Sequence, residues 1–377
     1  MSSAAKDPNR PQRTKAQLAL LVVAALIMIP ISDVTMFTLR KWGAARATKA
    51  GWQEEFYRIR DSRYRYDLMP NATKDSAPWG PIFYPVRTNS LGFRDSRVRE
   101  VPLRDSLYRM VLIGSSYAEG LGVAFDSTFA GLLAIHFRPQ GVEVLNAAVT
   151  NYSPVIYWKK IEDLIVRRGM KVDAVVVLID ASDIMHESLD YRLDGSGNVV
   201  DAPPRPQSWW VHNSYIYRYA QKGLFKLNPT APIGCVGNDT DPGFCRTLWT
   251  TAPAIMRDWG GEGLAKADAH MTQLAALLRA RHIPLTVVVY PRPEQLTRND
   301  RSSLQVSHWQ SWSRNEGAQF IQLFDAFFAR VDSLGVSRAI SENFIPGDVH
   351  LNAHGHQFVA SELERQLVAP SASQASR

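Results

Sequence analysis

The chain has 377 residues, 45% of them hydrophobic, which suits one sizeable globular domain with additions or two domains. Its net charge is +7, but residues 1–50 contain eight basic and two acidic residues and therefore hold +6 of it. Because the rest of the chain is nearly neutral, the charge distribution disfavours a nucleic-acid-binding surface.

An uncharged apolar stretch over 17–32 lies near the N-terminus, and with the apolar residues after Asp33 it reaches the roughly 20 residues that cross a membrane. We therefore expect a cytoplasmic tail over 1–16 and a transmembrane anchor over 17–39. A cleaved signal peptide is the alternative, but no small-x-small cleavage site directly follows the apolar run. Four basic residues precede the span and four follow it, so charge does not set the orientation.

The segment between the anchor and the first predicted strand, 40–108, is charged and aromatic at first and then rich in proline. We interpret 40–75 as a helical stalk and 76–108 as an irregular lead-in. The lead-in contains Arg-Thr-Asn-Ser-Leu-Gly-Phe-Arg-Asp at 87–95. The simplest role for this stretch is a turn that packs Phe93 against the domain.

From residue 109 onward, short apolar runs alternate with amphipathic segments. The pattern predicts strands at 109–113, 142–146, 173–180, 284–290 and 318–323, and helices at 125–137, 154–168, 264–281, 302–316 and 354–368. Alternating strands and helices favour a parallel sheet covered on both faces, an α/β/α sandwich. The segment 184–263 interrupts the alternation and is interpreted as an insertion, and 369–377 as a disordered tail.

The two cysteines, Cys235 and Cys245, lie within the insertion in a stretch of Gly, Asn, Asp and Pro that can close on itself. A disulfide there would imply an oxidising compartment, and two unrelated free thiols are the alternative. Two thiols with no histidine nearby are too few ligands for a metal.

Two polar stretches carry the residue types of nucleophilic catalysis. Ser116 lies on a predicted strand–turn–helix, at the strand end where open α/β sheets hold their reactive groups. Asp348 and His350 lie just before the last helix, and a carboxylate beside a histidine fixes the tautomer that acts as a general base. An ordinary serine in a polar turn is the alternative for Ser116. Three histidines within 350–356 also allow a metal, but no carboxylate or thiol cluster supports it.

These stretches resemble the blocks of the SGNH/GDSL hydrolases. Gly-Ser-Ser at 114–116 stands where the family has Gly-Asp-Ser, so the resemblance implies Ser116 as the nucleophile and puts Ser115 at the family's Asp position. Asp-x-His followed by Asn-x-x-Gly-His resembles the last block of many membrane-attached members. It implies His350 as the base and Asp348 as its carboxylate partner, with helix packing favoured for the later histidines. The phrase Asn-Ser-Leu-Gly-Phe-Arg-Asp is also similar to the lead-in of such members.

The two middle blocks are matched less closely. Asn151 stands at the second glycine of Asn-x-Gly-x-x-Gly, where the family supplies a backbone amide to the oxyanion hole. Ser182 stands at the Asn of Gly-x-Asn-Asp, and Asp183 matches the Asp that follows. The resemblance implies oxyanion or binding roles for these three residues. Purely local roles are the alternatives: Ser153 caps a helix that begins with Pro154, and Asp183 stabilises its own turn.

The resemblance implies a flavodoxin-like SGNH hydrolase domain over 109–368, behind an N-terminal transmembrane helix. We expect a membrane-anchored ester hydrolase or O-acyltransferase, with its domain on the periplasmic or extracytoplasmic side of the cytoplasmic membrane. Its partners would be that membrane and an acylated small molecule or glycan, without a cofactor, a metal or nucleic acid; protein partners stay open. The alternative is a non-catalytic, membrane-tethered SGNH-like module that binds glycan or scaffolds an assembly.

Overall fold

A computed structural model describes residues 15–51, 57–203, 216 and 246–367. The chain divides into two units, one containing the N-terminal helix and the other containing the remaining helices and strands given below. The predicted pairing of Cys235 with Cys245 lies outside the described residues.

The N-terminal unit contains one long helix, α1, Lys15–Gly51, with Pro30 inside it. Its part from Lys15 to Leu39 is long and apolar enough to cross a membrane, although a signal sequence near an N-terminus meets the same criterion. Apolar side chains such as Leu20 and Leu26 are 74% and 70% exposed. The expected apolar N-terminal helix is therefore present.

The second unit is built on a five-stranded parallel sheet. Its strands are β5 (Tyr108–Gly114), β6 (Val142–Asn146), β7 (Ala174–Ile179), β10 (Leu285–Val289) and β11 (Gln319–Gln322). In space they lie side by side in the order β11-β10-β7-β5-β6. Every residue of β6, β7 and β10 is buried, as expected for strands with helices on both faces. The prediction of a parallel α/β/α fold is confirmed, and the predicted limits of the second strand, 142–146, are those of β6.

Helices cover both faces of this sheet. They are α2 (Ser116–Glu119), α3 (Phe129–Phe137), α4 (Pro154–Glu162), α5 (Asp183–Leu189), α6 (Pro253–Ile255), α7 (Gly261–Arg279), α8 (Pro293–Thr297), α9 (Leu304–Glu316), α10 (Phe324–Leu334), α11 (Val336–Asn343) and α12 (Ala353–Gln366). Helix α3 packs on α12, whereas α4 and α5 pack on α7. The chain runs in opposite directions along the sheet from β5 to β6 and from β6 to β7, so right-handed crossovers put α3 and α4 on opposite faces.

Two predicted helices have a different shape at one end. The helix expected at 125–137 begins with a 3-10 turn, Phe125–Ser127, and the α-helix starts only at Phe129. Thr128 separates the two parts because its backbone is extended and its hydroxyl accepts a hydrogen bond from Gly131 N. The helix expected at 154–168 ends in a π-helical turn, Asp163–Arg167.

Three antiparallel hairpins lie outside the main sheet: β1–β2 (Arg58–Asp61 and Arg65–Leu68), β3–β4 (Thr73–Trp79 and Ile82–Arg87) and β8–β9 (Tyr191–Leu193 and Val199–Asp201). The helical stalk expected over 40–75 is wrong beyond Gly51, since β1, β2 and the start of β3 fall there. The physical reason is burial: Tyr57, Tyr64 and Leu68 are each 1% exposed, so these residues pack against the domain instead of forming a stalk.

Candidate active site

The strand order places a switch point between β5 and β7. The chain leaves β5 toward one side of the sheet and returns past it to β7, and open α/β sheets form their ligand crevice at the carboxyl ends of such a strand pair. Gly114 ends β5 there, in contact with β7: a Cβ at this position would lie 2.9 Å from Leu178 O and 2.8 Å from Ala118 Cβ. The absence of a side chain thus lets helix α2 begin directly at the sheet edge.

Ser116 is the first residue of α2, and Ser115 is its N-cap. Ser116 is 8% exposed, and the remaining residues of this short helix are buried. The helix ends at Gly120, which has a left-handed φ of +79°. The Ser115 hydroxyl is buried and makes no hydrogen bond within the described part of the chain. The predicted strand–turn–helix at Ser116 is therefore present, and only the backbone of Ser115, through its carbonyl, takes part in hydrogen bonds among the described residues.

Asp348 and His350 form a hydrogen-bonded pair. His350 Nδ1 lies 2.6 Å from Asp348 Oδ1, which also accepts the backbone N–H groups of Val349 at 2.5 Å and His350 at 3.1 Å. Burial raises the pKa of Asp348, but its hydrogen bonds to His350 and the charge of that ring outweigh burial and lower the pKa to about 2. The carboxylate is therefore charged near neutral pH and favours the imidazole tautomer with its proton on Nδ1.

The other ring nitrogen of His350 is available for chemistry. Nε2 is buried and has no hydrogen-bond partner among the described residues, so its lone pair is free in the tautomer that Asp348 favours. Tyr117 connects this ring to the serine turn, because its ring centroid lies 5.7 Å from that of His350 and its hydroxyl donates to Val349 O. The Ser116 hydroxyl itself is not hydrogen-bonded to Nε2. Such bonds are commonly longer in the free enzyme than in the substrate complex.

Asn151 lies in the loop after β6. Its φ of +60° is left-handed, a region that glycine adopts without strain. Asn151 is exposed, and its carbonyl oxygen accepts the Tyr191 hydroxyl at 2.8 Å. The loop runs beside the end of β5, since Val149 N donates to Gly114 O at 3.2 Å. The loop is thus adjacent to the strand that leads to Ser116.

Ser182 and Asp183 follow β7 and are buried. Arg292 Nη2 donates to the Ser182 hydroxyl oxygen at 3.1 Å. Asp183 is 0% exposed, and its Oδ2 accepts the Tyr157 hydroxyl at 2.7 Å and Asp180 N at 2.8 Å. Burial, with the charge of Asp180, raises the pKa of Asp183 well above its usual range. Asp183 therefore supports the turn from inside, whereas Ser182 lies between the turn and an arginine.

That arginine is a part of the site that the sequence did not reveal. Arg292 follows β10, is 1% exposed, and its Nε donates to both carboxylate oxygens of Asp180 at 2.8 and 3.1 Å. Burial opposes the charge of Arg292, but Asp180 outweighs it and raises the arginine pKa. Its guanidinium carbon also lies 5.9 Å from the centroid of the Tyr117 ring. An arginine at the end of a predicted strand was the available signal. Asp180 also stabilises its own turn, since its Oδ1 accepts Ser182 N at 2.7 Å.

The stretch 87–95 of the lead-in holds the C-terminal end of α2. Phe93 is 1% exposed, as expected, but Arg94 has the larger role. Its Nη1 donates to Glu119 O at 2.9 Å and Gly120 O at 2.7 Å, and its Nη2 donates to Val123 O at 3.1 Å. Helix C-terminal carbonyls need such donors. The lead-in therefore fixes the helix that begins with the candidate nucleophile.

Glu119 connects α2 to the loop after β6. This fully buried carboxylate accepts Thr150 N at 2.6 Å, the Thr150 hydroxyl at 2.7 Å and Arg58 Nη2 at 3.0 Å. Burial works against its ionisation, but the Arg58 charge and the Thr150 donors lower the pKa of Glu119 below its usual range. A charged carboxylate thus joins the hairpin β1–β2, α2 and the loop of Asn151.

The structure confirms the helix-capping position of Ser153 and the helix packing of His356, and it shows which groups they bond to. Ser153 is the N-cap of α4 before Pro154, but the capping acceptor is Glu187, which accepts both the Ser153 hydroxyl at 2.7 Å and Val155 N at 2.6 Å. His356 packs near the start of α12, where it is 1% exposed and its Nδ1 accepts Phe129 N at 3.2 Å.

Among solved structures, the chain is similar to several esterases. With the acetyl xylan esterase AlAXEase it shares 13% identity at a TM-score of 0.41, over 69% of this chain and 100% of that one. With the psychrotrophic esterase EstA from Pseudoalteromonas sp. it shares 10% identity at 0.38, over 68% and 94%. With a catalytic mutant of the acetylxylan esterase Axe2 from Geobacillus stearothermophilus it shares 12% identity at 0.41, over 70% and 95%. No family model and no curated protein matches the chain.

Proposed function

We propose that this chain is a serine esterase or O-acyltransferase of the SGNH type, anchored in the cytoplasmic membrane, that acts on an acylated envelope substrate such as a glycan. The observation that carries the proposal is the Asp348–His350 pair with a free Nε2, packed through Tyr117 against the turn of Ser116. A serine hydroxyl is a weak nucleophile at neutral pH and needs such a base. Structural similarity to acetyl xylan esterases is consistent with an acyl ester substrate.

In the proposed reaction, the Ser116 oxygen attacks the acyl carbonyl carbon while His350 Nε2 takes the hydroxyl proton. Asp348 stabilises the imidazolium that forms. Collapse of the tetrahedral intermediate breaks the ester bond, and His350 returns the proton to the leaving alcohol. The acyl-enzyme then passes its acyl group to water in an esterase or to another hydroxyl in a transferase: His350 accepts the proton of the incoming group and returns it to the Ser116 oxygen as the acyl–serine bond breaks.

The oxyanion is assigned three donors in this proposal: the backbone amide of Ser116, the amide of Asn151 and the hydroxyl of Ser182. Arg292 gives the third donor a physical basis, because a guanidinium that donates to the Ser182 oxygen leaves the hydroxyl proton free to donate elsewhere. One such donor commonly contributes about 3 kcal/mol to transition-state stabilisation. A hydroxyl in place of an amide donor predicts a slow or narrowly selective enzyme.

The test is labelling by a fluorophosphonate probe together with hydrolysis of an acetyl ester by the full chain in detergent. We expect the label on the peptide of Ser116. Replacement of Ser116 or His350 by Ala should each lower turnover by at least about 1,000-fold, and the double variant should be little worse, since the residues act as a unit. Ser115→Ala is the matched control, because the Ser115 hydroxyl is next to Ser116 in the chain but makes no hydrogen bond within the described residues.

Full turnover by a folded Ser116→Ala variant would refute the catalytic proposal. A second candidate then gains support: a tethered SGNH-like module that binds glycan or scaffolds an assembly without catalysis. Two observations favour that candidate, namely Ser115 at the position of the family's Asp and the absence of a hydrogen bond from the Ser116 hydroxyl to His350. Glycan binding without labelling would distinguish it.

A further inference from the structure

A residue from outside the main sheet contacts both members of the Asp348–His350 pair. Trp79 is the last residue of β3, and its indole Nε1 donates to Asp348 Oδ2 at 2.7 Å. Its ring also meets the His350 ring edge-on, with centroids 5.0 Å apart and planes at 89°. One side chain thus contacts both the carboxylate and the imidazole.

We propose that Trp79 is a positioning residue for the Asp348–His350 pair, supplied by the hairpin β3–β4. This inference rests on the proposed function, because it assumes that the pair serves catalysis. Asp348 Oδ1 accepts His350 Nδ1 and two backbone amides, whereas Oδ2 accepts the indole. The indole therefore fixes the rotation of the carboxylate, and its edge-on contact fixes the plane of the imidazole.

The hairpin holds Trp79 firmly in place. Ala77 on β3 and Tyr84 on β4 are 1% and 3% exposed, so the hairpin is packed on the domain. Gly122 leaves space beside the indole: a Cβ there would lie 3.3 Å from Trp79 Cδ1 and 2.7 Å from Ile345 Cδ1. Ile345 belongs to the same loop as the pair, since its N–H donates to His350 O at 2.8 Å. The indole is thus seated on the loop that it orients.

Two ionisable groups near the His350 ring are neutral, and one is charged. Tyr117 on α2 is neutral because burial raises its pKa well above its usual range. His356 on α12 is neutral because burial, with the charges of Arg94 and His350, lowers its pKa to about 3. Asp348 is the charged group in direct contact with the ring. A change in the protonation of His350 therefore reports on the Asp348 interaction that Trp79 adjusts.

The test compares Trp79→Phe, which keeps an aromatic ring but removes the N–H donor, with the matched control Trp312→Phe on α9. The Trp312 indole donates to Thr272 Oγ1 at 3.3 Å, a contact within the helical layer. We expect Trp79→Phe to lower kcat for acetyl ester hydrolysis by about 10-fold to 100-fold with KM within about 2-fold, as small misplacements of catalytic groups do. The control should keep wild-type kinetics.

A shift of the pH profile separates positioning from a general structural role. Without the indole donor, more of the Asp348 charge acts on the imidazolium and stabilises it, so the acid limb of kcat/KM should move to higher pH. Provided that Ser116→Ala and His350→Ala do abolish hydrolysis, a Trp79→Phe variant with wild-type kcat and an unmoved acid limb would overturn the inference. So would a fall in kcat that the control reproduces.

A second measurement does not depend on activity. In 15N-labelled full chain in detergent, the proton on His350 Nδ1 should give a downfield resonance, identified by its loss in His350→Gln. We expect Trp79→Phe to move this resonance and Trp312→Phe to leave it unchanged. If the resonance responds while no variant affects ester hydrolysis, the proposed function fails and the positioning by Trp79 stands. A resonance unchanged in Trp79→Phe refutes the positioning itself.

Discussion

The contacts of Arg94 allow a quantitative prediction for Arg94→Lys. Lysine keeps the positive charge but carries one nitrogen, so it can replace at most part of the three bonds to Glu119, Gly120 and Val123 carbonyls. Hydrogen bonds that involve a charged group contribute about 1.5–3 kcal/mol each. If the lysine keeps one of the three bonds and water partly replaces the other two, we expect the free energy of unfolding to fall by roughly 3 kcal/mol.

For a domain of this size, about 1 kcal/mol corresponds to about 2–4 °C in Tm, so Arg94→Lys should unfold about 6–12 °C below the wild type. Near-UV circular dichroism of the full chain in detergent follows the loss of tertiary packing. The matched control is Arg97→Lys, because Arg97 lies in the adjoining stretch but is exposed. Its Tm should stay within about 2 °C of the wild type, since surface changes have small effects.

The same substitution should slow fluorophosphonate labelling of Ser116, because Arg94 holds the end of the four-residue helix that Ser116 begins. An Arg94→Lys variant with unchanged Tm and unchanged labelling rate would show that the three carbonyls find other donors. In that case the lead-in would be dispensable for α2, and Phe93 packing would be its main contribution.

Two further predictions concern acid stability and topology. Because the folded pKa of Asp348 is lowered to about 2, its contribution to stability is present above the unfolded value of about 4 and is lost as pH falls through about 2. The difference in unfolding free energy between wild type and Asp348→Asn should therefore shrink between about pH 5 and pH 2 in denaturant titrations. If the domain is exported, a reporter active only outside the cytoplasm should work when fused after Arg377, and a silent but expressed fusion would contradict this topology. In exported protein, mass spectrometry without reduction should also find Cys235 bridged to Cys245, and two free thiols would contradict the bridge.

The main sheet was predictable because its central strands contain short, nearly continuous apolar runs. Runs such as 174–179 are buried on both faces, which produces a continuous hydrophobic pattern that polar helices and turns interrupt clearly. The hairpins over 58–87 were missed for the opposite reason. Strand β1 is Arg-Ile-Arg-Asp, and its charged residues are partly exposed, so no simple alternation marks it. The decisive burial of Tyr57 and Tyr64 depends on tertiary contacts.

The candidate site also contains residues that sequence patterns could reveal and residues that they could not. Asp348 and His350 are two residues apart, so their pairing was predictable from spacing, and Ser116 was predictable from its strand–turn–helix. Trp79 is 269 positions from Asp348, and Arg292 is 112 positions from Asp180. Contacts at such separations depend on the topology of the sheet and of the hairpin, which single-residue patterns do not contain. The local pairing of Asp348 with His350 and the turn at Ser116 could therefore be predicted, whereas the distant residues that contact them could not.

Buried groups beyond Ser115 hold the turn of Ser116. The buried Ser115 hydroxyl makes no hydrogen bond within the described residues, so it does not tie α2 to a neighbouring loop. Glu119, three residues after Ser116, provides such a tie through its bonds to the Thr150 amide and hydroxyl. Arg94 adds a second tie at the same end of the helix. The C-terminal end of the short helix is thus held by a buried carboxylate and a buried guanidinium.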